Sequence, residues 1–168
     1  MRLTFTDGMP DDAPAIAAIR LAASERLMRD FGHGPWSGGV TERGVLYDMR
    51  HSRVVVARRG EAIVATLTLQ KKKPWAIDIS YFTKVAQPVY LINMTVAPEF
   101  QRKGIGRRLL EHTKELCASW PRDAIRLDAF NAPAGAAEFY AKCGFREIGR
   151  VTYKTTPLVY FEYLTQKS

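Results

Sequence analysis

Val89-Tyr90-Leu91-Ile92-Asn93-Met94-Thr95-Val96 runs into Ala97-Pro98-Glu99-Phe100, and Gln101-Arg102-Lys103-Gly104-Ile105-Gly106 follows. The first eight residues are nearly continuously apolar, which predicts a strand buried on both faces. From Ile105 the period changes. Ile105, Leu109, Thr113, Leu116 and Trp120 fall on one helical face, widened by Leu110 and Cys117. The stretch therefore reads as a strand, a tight glycine-containing turn and a helix N-terminus. The first turn of a helix carries unpaired N–H groups and the positive end of its dipole. A phosphate is stabilised there. Gly104 and Gly106 withhold Cβ atoms where a ligand must approach the backbone, and Arg102, Lys103, Arg107 and Arg108 add charge. A diphosphate is the natural ligand. The spacing is neither that of a P-loop nor that of a three-glycine dinucleotide fingerprint. Taken alone, the turn also reads as a basic corner that only packs a strand against a helix.

Working outward, Arg2–Thr6 alternates as a short strand. Asp11 and Asp12 precede Pro14 and a helical period at Ile16, Ile19, Ala23 and Leu27. The glycine-rich Phe31–Gly39 is a loop, and Thr41–Met49 a second helix. Arg53–Ala57 and Ile63–Leu69 form a hairpin across Arg58-Arg59-Gly60-Glu61. Lys71–Pro88 is a long irregular connection, a kind of segment that is often functional. Ala124–Phe130 is a strand, and Pro133–Lys142 a helix stopped by Gly144. Val151–Lys154 and Val159–Leu164 close the chain as strands around Pro157. The order β-α-α-β-β-β-α-β-α-β-β predicts a single-domain α/β fold over residues 1–168 with a mixed sheet.

Composition bounds the function. The 168 residues hold 25 Lys and Arg against 17 Asp and Glu, a net charge of +8. That balance favours an anionic partner. The cations are spread along the chain without a long basic tail, so no nucleic-acid partner is expected. Apolar runs are short and broken by charge, so no transmembrane helix or membrane partner is expected. Met1–Pro10 has no apolar block, so it does not read as a secretory signal. Two cysteines, Cys117 and Cys143, suit a reducing, cytoplasmic compartment and read as buried small hydrophobes. No His, Cys and Asp cluster has metal-ligand spacing, so no metal is expected.

Gln101-x-x-Gly104-x-Gly106 after an apolar strand resembles the signature of the GNAT superfamily of acyl-CoA-dependent N-acetyltransferases. Asn131–Phe145 (NAPAGAAEFYAKCGF) resembles that family's second segment, in the expected order. The resemblance implies a mostly antiparallel mixed sheet flanked by helices, with a splayed central strand pair holding the cofactor. It implies acetyl-CoA as co-substrate. Gln101, Arg102, Lys103, Gly104, Ile105, Gly106 and Arg107 would take the diphosphate. Met94, Thr95 and Val96 would pair with the pantetheine amides, and Asn131 would contact the cofactor arm. Tyr140 would stand at the thioester sulfur. A phenol titrates near 10, so it stays protonated at neutral pH and can protonate a leaving thiolate. The other reading of Tyr140 is a ring packed in the core, although Phe139 beside it is the better core candidate.

The general base is open. Many relatives carry a Glu on the central strand, where this chain has no carboxylate. Asn93 is placed to orient a water, and Asp128, Asp78, Tyr81 and His33 are further candidates. Trp36, Trp75, Asp78 and Tyr81 are nominated for the acceptor pocket, with Asp78 pairing the amine's charge. Trp75 and Phe82 equally suit covering the core. The expected function is acetyl transfer to a primary amine of a small molecule, by direct attack in a ternary complex. A protein N-terminal or lysine acetyltransferase is the alternative, as is a non-catalytic CoA-binding or nucleic-acid-binding regulatory module. The family's frequent dimers leave a homodimer open.

Overall fold

The first strand, β1 (Thr4–Asp7), lies antiparallel to β2 (Arg53–Arg59), pairing Phe5 with Ala57. In the computed structural model, which describes residues 1–165, two compact units are formed. One holds residues 1–70 and 92–112; the other holds 71–91 and the chain from 113 onward. Three crossings of the chain build them, so neither unit is a continuous segment. The remaining elements are α1 (Ala13–Phe31), α2 (Glu42–His51), β3 (Ala62–Gln70), β4 (Pro88–Val96), α3 (Ile105–Ser119), β5 (Ala124–Phe130), α4 (Ala137–Lys142), β6 (Arg146–Tyr153) and β7 (Thr156–Leu164). Leaving aside short 3-10 turns, this is the element order expected. The strands run β1-β2-β3-β4-β5-β7-β6 in one seven-stranded sheet. β4 and β5 are parallel, whereas β1–β2, β2–β3, β5–β7 and β6–β7 are antiparallel. The fold is thus α/β with a mixed, mostly antiparallel sheet.

In the first unit, the Val54 and Val56 side chains of β2 pack with Ala13, Ile16, Val45 and Ile63. Thr41 caps α2 by accepting the Gly44 N–H at 3.0 Å, which satisfies one unpaired donor of its first turn. Half-buried Arg20 joins α1 to α2 and β3, donating to Asp48 Oδ2 at 3.1 Å and to Thr68 Oγ1 at 3.0 Å.

β4 departs from expectation. Only Val89, Tyr90 and Leu91 are buried; Ile92 and Met94–Val96 are half-buried and Asn93 is exposed. Asn93 has φ of 54°, a left-handed residue inside a strand. Asparagine tolerates that conformation better than most residues, and the regular extended backbone is interrupted there. Before Asn93, β4 pairs with β5 over three positions, from Pro88↔Ala124 to Tyr90↔Arg126. β4 then continues into the first unit, while β5 goes on pairing with β7 as far as Phe130↔Leu158. The β4–β5 register thus covers three positions at the start of β4.

In the second unit, Ile77, Phe82, Tyr90 and Tyr160 form a core against Ile148 and Val151. Two expectations are corrected here. α4 begins at Ala137 rather than Pro133, because Gly135 N–H bonds Ala132 O in a turn and the Phe130 carbonyl lies where a Cβ at Gly135 would go. The last hairpin turns at Lys154-Thr155, with φ of 45° and 73°, so Pro157 lies within β7 and β6 starts earlier, at Arg146. Two successive positive φ values are the mark of a tight hairpin turn whose twist matches its strands. Gly144, at φ 87°, ends α4 as expected.

Candidate active site

The Gln101–Gly106 turn belongs to the first unit. Gln101 ties it to the end of β4, donating from Nε2 to Val96 O at 3.1 Å. Arg102 and Gly104 both adopt positive φ, 62° and 79°, with Lys103 between them outside that region. Alternating hands of this kind aim successive N–H groups to one side, which makes an anion-binding concavity. Nothing lies within 4 Å of the place a Cβ on Gly104 would occupy, so glycine serves the backbone conformation and leaves the approach open. The first helical bond of α3 runs from Arg108 N to Gly104 O, at 3.1 Å. Ile105 and Gly106 are buried while Arg102, Lys103, Arg107 and Arg108 are exposed. Lys103 lies 5.6 Å from the Phe100 ring centroid, and Arg108 reaches Met1 O at 2.8 Å. This corner fits a diphosphate: open backbone, helix N-terminus and cations, with no carboxylate in Gln101–Arg108.

The second unit holds Tyr140 and Asp128. Tyr140 is 7% exposed, and its ring packs on Phe145 and Phe161 at centroid distances of 5.8 and 6.1 Å. Phe139 is only half-buried, so the expectation that Phe139 is the core residue of the pair is reversed. Burial, with the nearby Asp128 charge, raises the Tyr140 phenol above its usual range and keeps it protonated. Asp128 lies on β5 opposite Tyr160 on β7, two residues past the last position at which β5 pairs with β4. Among the described residues none donates a hydrogen bond to its carboxylate, and burial raises its pKa. A carboxylate so placed is a stronger base than an exposed aspartate and has capacity for a proton.

The nominated acceptor residues divide. Trp36 is half-buried in the first unit; its Nε1 donates to Gly32 O at 3.0 Å, and its ring covers Gly34. Trp75, Asp78 and Tyr81 are in the second unit. Trp75 is 84% exposed while Phe82 is buried, so only Phe82 covers the core. Asp78 Oδ1 accepts from Ser80 N at 3.0 Å and from Ser80 Oγ at 2.7 Å; these bonds hold its carboxyl below the usual range. Asn131 is exposed, its N–H bonded to Pro157 O at 2.9 Å. His33 is exposed in its loop. Among the described residues no group of three or more His, Cys, Asp or Glu is arranged to hold a metal ion. Sequence reading passed over Arg126, Glu162 and Tyr160, since buried polar groups in a strand look like ordinary alternation until their partners are placed.

Residues 50–147 match the family described as Acetyltransferase (GNAT) domain. The chain belongs to the GNAT acetyltransferases. It is therefore an acyltransferase, and its fold agrees with solved members. The ribosomal-protein-S18-alanine N-acetyltransferase from Escherichia coli superposes with a TM-score of 0.71 at 17% identity, over 99% of this chain and 96% of that one. The PaiA N-acetyltransferase from Thermoplasma acidophilum, in complex with coenzyme A, gives 0.74 at 13% identity, over 97% and 100%. The ribosomal-protein-alanine N-acetyltransferase from Brucella melitensis gives 0.73 at 18% identity, over 96% and 99%. No curated protein sequence matches. Among the described residues, no helix of this GNAT chain is long and apolar enough to cross a membrane.

Proposed function

We propose that residues 1–168 act as one N-acetyltransferase domain, moving an acetyl group from acetyl-CoA to a primary amine of a small molecule. The observation that carries the reading is the Gln101–Gly106 turn, whose alternating backbone and open Gly104 suit a diphosphate. Arg102, Lys103 and Arg107 supply charge, Met94, Thr95 and Val96 supply strand backbone, and Asn131 contacts the cofactor arm. Acetyl-CoA, when bound, supplies the acetyl group as an activated thioester.

The residues of this chain then manage protons. Asp128 takes one proton of the incoming ammonium, the freed amine forms the N–C bond as the C–S bond breaks, and Tyr140 gives its proton to the departing thiolate sulfur; the second proton lost by the nitrogen restores Tyr140 through solvent, so one proton is released per turnover. This assigns the base to β5, and Asn93 orients water. Both cysteines are buried, so attack by the amine is direct, in a ternary complex, with no acyl-enzyme on sulfur. Buried cysteines outside any disulfide also suit the cytoplasm. Trp75, Asp78 and Tyr81, with Trp36, receive the acceptor.

The exposed side chains Trp75, Ile79 and Tyr81 favour a second reading, a peptide acceptor, because a wide apolar contact suits a longer chain. Incubation with acetyl-CoA and a panel of polyamines, arylalkylamines and N-terminal-alanine peptides, read as free thiol and product mass, separates the two. Calorimetry with CoA tests the turn. Absence of saturable binding at millimolar CoA, near the weak end of the affinity scale at about −4 kcal/mol, overturns the proposal.

A further inference from the structure

We infer that Tyr160 is a positioning residue for the acceptor: its hydroxyl locks Ala76–Phe82 onto β7, and so sets the acceptor-bearing segment beside Asp128. The inference rests on the proposed transfer and on that segment's acceptor role. The Tyr160 ring is buried against the edge of Tyr81 and against Phe82, at centroid distances of 5.4 and 5.2 Å. A phenylalanine would fill that space equally. The hydroxyl does something else. It donates to Ala76 O and accepts from Asp78 N–H, the latter at 3.1 Å. One phenol thereby satisfies two backbone groups two residues apart, in a segment that has no strand ladder of its own.

A second anchor holds the far end. Thr83 donates from N to Glu162 Oε2 at 3.1 Å and from Oγ1 to Glu162 Oε1 at 2.6 Å, while its carbonyl accepts from Arg126 Nη2 at 2.6 Å. Arg126 and Glu162 are 5% and 2% exposed. Both anchors belong to one register. Tyr160 pairs with Asp128 and Glu162 pairs with Arg126 across β5 and β7. The strand positions that hold the segment are thus the cross-strand partners of the strand that carries the base. Room for the fixed segment is made from the other side: a Cβ on Gly149 of β6 would come 2.5 Å from Tyr81 Cδ1. With Ile77 and Phe82 buried and both ends held, Trp75, Ile79 and Tyr81 are left facing outward.

The test is Tyr160→Phe in the full chain. Amide hydrogen exchange at Asp78 should quicken about tenfold, the worth of one net hydrogen bond. The KM for the amine that the unaltered enzyme acetylates best in the panel should rise by about the same factor, with the acetyl-CoA dissociation constant unchanged. Thr83→Val, which loosens the other end, should move the same acceptor KM and serves if the first variant folds poorly. Unchanged Asp78 exchange overturns the inference, and so does faster exchange with an unchanged acceptor KM. Failure of the transferase reading shows separately, as no CoA binding by the unaltered protein, and leaves no acceptor for Tyr160 to position.

Discussion

The Gln101–Gly106 turn and the Lys71–Thr83 segment are built on opposite plans. The turn is held locally: Gln101 reaches five residues back to Val96, and two positive φ values shape the backbone. The segment is held from far along the chain, by Tyr160 on Ala76 and Asp78 and by Glu162 on Thr83. A site for phosphate needs little more than backbone N–H groups and charge, which a few consecutive residues can supply. A site for a particular amine needs side chains fixed in space, and fixing them takes tertiary partners.

The comparison is broken most severely at Tyr140, which should matter for chemistry and not for the turn. Tyr140→Phe keeps the ring and removes the proton donor. Single-turnover transfer should fall about 10²- to 10⁴-fold, with CoA affinity little changed. An unchanged rate removes the acid role.

Arg126→Met tests the far-anchored plan. It removes the buried cation from Glu162 and leaves only the exposed Arg146, 3.9 Å from Oε1, and breaking a buried pair costs about 3–5 kcal/mol. Arg126 Nε is 3.5 Å from Glu162 Oε2, an ion pair without hydrogen-bond geometry, so the Nη bonds to Tyr90 and Thr83 carry the orientation. Urea unfolding should show the loss. A change under about 1 kcal/mol, the scale of exposed pairs, would mean the pair is not buried in solution.

Asp128→Asn should slow transfer about 10²-fold, the low end for a positioned base. The wild-type rate should climb with pH through a carboxyl value above the usual aspartate range, and the variant should lose that limb. Stability gives the sign independently. A carboxyl whose pKa is raised by folding adds stability at pH below its unfolded value, and that addition is lost as pH rises through the folded value. The variant should therefore equal or exceed the parent in stability at neutral pH. Reduced stability there would mean that the carboxylate has a partner.

The smallest effect is expected at the turn. Gly104→Ala meets no atom, but its left-handed φ costs an L-residue about 1–2 kcal/mol. CoA affinity should weaken about tenfold with a minor fall in Tm. Gly106 makes a poorer probe, since it is buried in the first turn of α3 and any side chain there disturbs packing first. Unaltered affinity in Gly104→Ala would show that the turn is a corner and not a binding loop.

How much was legible follows the same division. The sequence by itself determined the element order, the α3 and β5 boundaries to within a residue, the stop at Gly144 and the glycine-containing turn that opens α3. Each depends on neighbours close in the chain: apolar period, glycine conformational freedom, a helix N-terminus. Only the tertiary structure decided that Asn93 takes a left-handed backbone inside β4, that Tyr140 rather than Phe139 is buried, and that the Asp128 carboxylate has no donor among the described residues. It alone showed Tyr160 holding a segment more than seventy residues earlier in the chain. Period and composition report which way a side chain tends to face, but a hydrogen-bond partner or a desolvated charge is set by the other strand, which the local sequence does not contain.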